Sequence, residues 1–132
     1  KQYNNRWFLF GQTKQYKVLT NIALDRVIAL EEVSEPFVLS TIDFQSYFED
    51  VVGVTVPDSG PLEKVVLKVN RSLYPYIESK PLHGSQRVVE RGANYIMLKL
   101  ELIINYELKA LLRSYGKDIE VLEPLFLKEE MS

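Results

Sequence analysis

Asp25 and Arg26 stand between apolar neighbours, Leu24 before them and Val27-Ile28 after, and close in sequence to the aromatic run Arg6-Trp7-Phe8-Leu9-Phe10. Two chemistries fit such a pair. It can close as an ion pair at a strand edge, or it can present the Arg26 guanidinium to an anion beside aromatic faces on which a base can stack. His83 is the only histidine, in Pro81-Leu82-His83-Gly84-Ser85, and the chain has no cysteine, so neither a zinc-ligand set nor a cysteine nucleophile can be assembled. A lone loop histidine serves as a hydrogen-bonding strut or as a ligand that responds to pH. Ser85 lies two residues away without the strand-to-helix elbow or second imidazole of a hydrolase. The glycines at 11, 53, 60, 84, 92 and 116 match neither a Walker loop nor a dinucleotide fingerprint. The carboxylate pairs Glu31-Glu32, Glu49-Asp50 and Glu129-Glu130 are adjacent in polar contexts and read as solvated surface. A non-enzymatic protein without cofactor or bound metal is expected.

Composition bounds the setting. A chain of 132 residues, 46% hydrophobic and 26% charged, suits one domain or two small ones. No apolar run approaches the roughly 18 residues of a membrane span, so a soluble protein with no membrane partner is expected. The lack of cysteine fits a reducing compartment, and the expected location is cytoplasmic. Lys1 is neither an initiator methionine nor the start of a signal peptide, so the chain is expected to begin inside a longer protein. Charge is segregated: residues 1–30 carry five cations against Asp25 alone, residues 31–63 carry eight acids and no Lys or Arg, and residues 64–132 carry eleven cations against nine acids. The basic opening could attract phosphates, although the net charge of −2 opposes nucleic-acid binding by the whole chain.

Patterning places these residues on elements. Arg6 to Phe10 reads as a strand, Gly11 to Lys14 as a turn, and Tyr16 to Val33 as further strands on either side of Asp25-Arg26. Trp7 is expected in the core, because strand aromatics are usually buried. Asp43 is placed to cap a short helix with Phe44, Tyr47, Phe48, Val51 and Val52 on one face, ended by Gly53. The turn cluster from Val56 to Pro61 marks a boundary. Beyond it come a strand with Val65, Leu67 and Val69 on one face, a short helix capped by Ser72 with Pro75 in its first turn, and a strand over Gln86 to Arg91. A Gly92-Ala93-Asn94 turn follows, then a long strand over Tyr95 to Ile104, a helix capped by Asn105 and ended at Gly116, and a strand over Ile119 to Glu123. That βαββαβ order predicts a ferredoxin-like antiparallel sheet with two helices on one face, in an α+β protein.

The string Asn5-Arg6-Trp7-Phe8-Leu9-Phe10-Gly11 followed by Ile22-Ala23-Leu24-Asp25-Arg26-Val27 resembles the two hallmark stretches of the WYL-domain transcriptional regulators. The stretch from Glu107 to Gly116 with Ile119 to Pro124 resembles the end of their WCX extension, and Gly53-Val54-Thr55 and Pro81-Leu82-His83-Gly84-Ser85-Gln86 are similar to linking stretches of Bacteroidetes-like members. The resemblance implies a partial Sm-like (SH3-like) WYL β-barrel over 1–40, a connector with a short helix over 41–60, and a ferredoxin-like WCX domain over 61–132. It further implies a bacterial regulator that binds DNA through a helix-turn-helix domain outside this chain, senses a nucleotide or single-stranded nucleic acid, and forms a homodimer. A purely structural dimerisation module is the alternative. The ligand-binding residues it points to are Arg26, Phe8, Trp7, Arg6, Asp25 and His83, with Arg26 foremost. Two positions depart from the family pattern: the motif tyrosine is Phe8, and Thr20-Asn21-Ile22 replaces an Arg-x-Phe.

Overall fold

The computed structural model describes residues 1–13, 18–58 and 60–132. Lys14 of the expected turn, Tyr16 and Lys17 at the start of the next run, and Ser59 in the boundary cluster lie outside the described residues. The chain divides into two compact units, 1–44 and 45–132. The protein is α+β, with two antiparallel sheets and four α-helices among the described residues.

In the first unit, β1 (Gln2–Tyr3), β2 (Arg6–Gly11) and β3 (Thr20–Ala23) form an antiparallel sheet in that order. Asn4 and Asn5 turn β1 into β2 with φ of 49° and 62°. Asparagine tolerates this left-handed region, and two successive positive φ values match the right-handed twist of the strands that they join. β2 pairs with β3 through Phe8 opposite Ala23 and Phe10 opposite Asn21. The expected strands around Asp25-Arg26 are only half present. After Ala23 the chain turns into a single 3₁₀ turn, Leu24–Arg26, and residues 27–43 contain no helix or strand. The β-branched and apolar residues Val27, Ile28 and Leu30 supply β propensity, but a strand exists only where its backbone finds a ladder partner, and none is present among the described residues. Ile28 is accordingly 100% exposed and Leu30 90%.

The second unit opens with the last four residues of α1 (Phe44–Phe48), which is shorter than the expected helix, because Val51, Val52 and Val54 are buried in a non-helical segment instead. The elements that follow are β4 (Glu63–Asn70), α2 (Tyr74–Ser79), β5 (Arg87–Arg91), β6 (Tyr95–Leu102), α3 (Tyr106–Ser114), β7 (Ile119–Glu123) and α4 (Leu125–Met131). The sheet order is β5-β6-β4-β7, antiparallel throughout.

Register puts Val65 opposite Leu100, Leu67 opposite Leu98, and Val69 opposite Ile96, all on one face and all at most 1% exposed. Ile77 from α2, Leu108 from α3 and Leu127 from α4 are 0% exposed and complete this core. Burying each such side chain is worth about 1.5–3 kcal/mol. The opposite face carries the ion pairs Lys64–Glu123 (3.4 Å) and Lys99–Glu101 (2.8 Å), and the Lys68 ammonium lies 5.0 Å from the Tyr95 ring centre.

Caps follow chemistry with one substitution. Asn105 caps α3 by accepting from Leu108 N at 2.9 Å, and Gly116 takes φ +55° just beyond its end. At α2, Ser72 does not cap. Its amide and hydroxyl both donate to Asn70 Oδ1, at 3.2 and 3.1 Å, so asparagine organises the turn and Leu73 occupies the cap position. Beyond these expected elements, α4 is an addition that the pattern before Pro124 did not reveal.

Candidate anion-binding site

β2 and the 3₁₀ turn after β3 position the residues singled out in the first unit. Alternation along β2 sends Arg6 and Phe8 to one face and Trp7 to the other, so the two rings cannot flank one ligand. Trp7 is 57% exposed instead of buried in a core. Arg6 is committed: its Nε donates to Asp25 Oδ2 at 3.1 Å and its terminal NH2 group to Asp25 Oδ1 at 3.0 Å, a two-pronged pair, while the guanidinium lies 5.4 Å from the Phe8 ring centre. The hydrogen bond from Arg6, with the charges of Arg6 and Arg26 adding to it, holds the Asp25 carboxyl below its ordinary value of 3.8.

This pairing answers the question that the sequence posed. The acid beside Arg26 is taken by Arg6, and Arg26 itself is exposed, with no hydrogen bond or ion pair to any described residue. Geometry therefore leaves one free guanidinium next to a neutralised pair, with Phe8 beneath Arg6. Such a group can attract and hydrogen-bond an anion. Among the described residues there is no cluster of three or more His, Asp or Glu side chains able to hold a metal ion.

His83 belongs to the second unit, and its ring is occupied. Ser85 N donates to Nδ1 at 3.1 Å, with Ser85 Oγ 2.8 Å from the same nitrogen, while Nε2 lies 2.8 Å from Glu49 O. A carbonyl oxygen only accepts and an amide N–H only donates, so Nε2 carries the proton and Nδ1 the lone pair. Ser85 Oγ in turn accepts from Glu101 N at 2.9 Å. The His83-Gly84-Ser85 turn is thus a strut joining residue 49 to β6, and its imidazole is occupied on both sides.

The second unit also holds a cavity of about 520 Å³ between α3, β7 and α4, whose lining includes Leu112, Arg113, Lys117, Glu120 and Lys128. Sequence reading did not find it, because one wall is α4. The signal available was the short apolar run Leu125-Phe126-Leu127 after Pro124, of which Leu127 is buried in the core. Arg113 and Lys109 of α3 reach Glu130 of α4 at 3.9 and 2.9 Å, which holds this wall in place.

The WCX domain model matches residues 61–132, more than half of the chain. The chain belongs to the WCX-domain family. No curated protein matches it. The matched WCX residues begin just before β4 and run through α4, so all four strands of the second sheet fall within them. The segment before residue 61 is nonetheless fastened to the WCX core: Asn105 Nδ2 donates to Val52 O at 2.8 Å and to Thr55 O at 2.9 Å, and Ile103 N donates to Asp50 O at 2.7 Å. Residues 45–58, read from sequence as part of a connector, are part of the second compact unit. No helix among the described residues is long and apolar enough to cross a membrane.

Proposed function

We propose that this WCX-family chain is the effector-sensing and dimerising region of a bacterial helix-turn-helix transcriptional regulator, binding an anion such as a nucleotide or a short single strand of nucleic acid. One observation carries the reading. Asp25 is bound to Arg6, which leaves the Arg26 guanidinium exposed and unpaired among the described residues. The βαββαβ order of the second unit with sheet order β5-β6-β4-β7 supports a ferredoxin-like WCX fold. The short antiparallel sheet of the first unit, together with the motif resemblance, supports a partial Sm-like barrel.

In this reading Arg26 binds the anion, Arg6 occupies the Asp25 carboxylate so that it does not compete for Arg26, and Phe8 offers the ring face away from Arg6. His83 plays no part in binding, since its two ring nitrogens are engaged. Nucleotides and short single strands titrated against the chain should bind with an affinity that falls as salt rises. Arg26→Ala should weaken binding about ten-fold, the loss of one hydrogen bond to a charged partner. Equal affinity of the variant removes Arg26 from the site.

The exposure of Trp7 and Leu9 at 57% and 56% favours association through the first unit, and the architectural alternative needs nothing more. A saturating ligand screen that leaves the melting temperature unmoved, in a protein that light scattering shows to be dimeric, would establish the architectural alternative. A monomer at tens of micromolar would count against both.

A further inference from the structure

Glu107 is a carboxylate in an unusual position. It is 8% exposed, in the first turn of α3, and its Oε1 accepts three hydrogen bonds: from Val54 N at 3.2 Å, Thr55 N at 3.0 Å and Thr55 Oγ1 at 2.7 Å. Its Oε2 is buried with no hydrogen-bond partner among the described residues. The neighbouring backbone is fitted to it. Gly53 has φ +80°, and a Cβ at that position would come within 2.6 Å of Glu107 Cγ. The same segment is held by His83 at Glu49 O, by Ile103 N at Asp50 O, and by Asn105 at the carbonyls of Val52 and Thr55.

We infer that residues 49–55 form a strap latched onto the WCX core by Glu107, a built-in conformational device that opens locally while the sheet stays folded. The fastening and the means of release reside in one carboxylate. Oε1 carries three donors, but a buried carboxyl oxygen with no donor among the described residues is costly, and lifting the strap lets water reach Oε2. Opening therefore costs less than the hydrogen bonds alone imply. Val51, Val52 and Val54, at 4–6% exposed, oppose it by losing their apolar contacts, which keeps the latched state the resting one. The strap lies on the covalent path from the first unit to β4. The latch does not depend on whether Arg26 binds an anion.

Native-state amide exchange on the whole chain tests it without a ligand. In the wild type the Val54 and Thr55 amides should be protected, yet exchange faster than those of Leu98 and Leu100 in β6. Glu107→Ala should speed the two strap amides by about ten-fold or more, the loss of a charge-assisted acceptor, with β6 amides slower than the strap. Gly53→Ala, which leaves the carboxylate in place and displaces the strap, should give the same local pattern, and serves if Glu107→Ala fails to fold. Unprotected strap amides in the wild type overturn the inference. So does exchange in step with β6, which would make the segment an inseparable part of the core. Unchanged strap protection in Gly53→Ala also overturns it. Nucleotide titration of Arg26→Ala reads none of these outcomes, so failure of the latch and failure of the effector reading are separate results.

Discussion

A single carboxylate decides how the Asp25-Arg26 pair behaves. Adjacent residues in a strand point to opposite faces, but the 3₁₀ turn after β3 brings Asp25 back to Arg6, nineteen residues earlier in the chain. Arg6 is the first cause of the lowered Asp25 pKa, and the sign of the pH dependence follows. A carboxyl held below its unfolded value contributes stability that is present above that value and is lost as pH falls through the folded pKa. Carbon-detected NMR titration should place the Asp25 midpoint below the ordinary 3.8, and Arg6→Ala should move it upward. An unmoved midpoint would show that the two-pronged pair does not form. Both groups are substantially exposed, so the effect on global stability is expected to be small.

His83 is the complementary case. Its partners are Glu49 O, Ser85 N and Ser85 Oγ, and the Ser85 hydroxyl also takes the Glu101 amide. Removing the imidazole leaves these groups to find water or go unpaired. His83→Ala should cost about 1–3 kcal/mol in a urea melt, with nucleotide affinity unchanged.

Elements of the second unit explain themselves through period and register. Five apolar residues at alternate positions from Ile96 to Ile104 predict a strand with one buried face, and four of them, Ile96, Leu98, Leu100 and Leu102, are at most 1% exposed. Ile104 falls beyond the end of β6, where the chain turns into the Asn105 cap. Leu100 sits opposite Val65 at the centre of the sheet, so Leu100→Asp places an unpaired charge in that core. It should abolish the cooperative unfolding transition of the second unit, and Leu100→Ala should cost about 2–5 kcal/mol. A Leu100→Asp protein with wild-type circular dichroism and urea midpoint would contradict this placement of the core. The apolar run Val27-Ile28-Ala29-Leu30 also carries β-branched residues, yet no strand forms there. Backbone propensity is the same kind of signal in both segments; what differs is that β6 lies between β4 and β5, whereas residues 27–33 have no neighbouring strand among the described residues.

At the scale of the whole molecule the two units differ in how much holds them together. The first contains strands of two, six and four residues and leaves Trp7, Leu9 and Ile22 about half exposed. Small sheets of this kind are marginal in isolation. The second has eight-residue strands at its centre and helices that complete a closed core. Amides of β2 and β3 should therefore exchange faster than those of β4 and β6, and thermal unfolding should depart from a single two-state transition. Equal protection in the two sheets would show that the units unfold as one.

What the residues by themselves determined was local. The βαββαβ order, the Asn105 cap, the Gly116 stop, the Gly92-Ala93-Asn94 turn and the buried faces of β4 and β6 follow from period, capping chemistry and turn residues, which act over a few positions. Tertiary structure decided what depends on meetings between distant segments. Asp25 pairs with Arg6 and not Arg26, and Trp7 faces away from Phe8. His83 is closed off by Glu49 and Ser85, and Val52 and Val54 are hydrogen-bonded to Asn105 and Glu107 of the WCX domain, more than fifty positions away. A side chain's type states what it can bond, but which partner it finds is set by the path of the folded backbone.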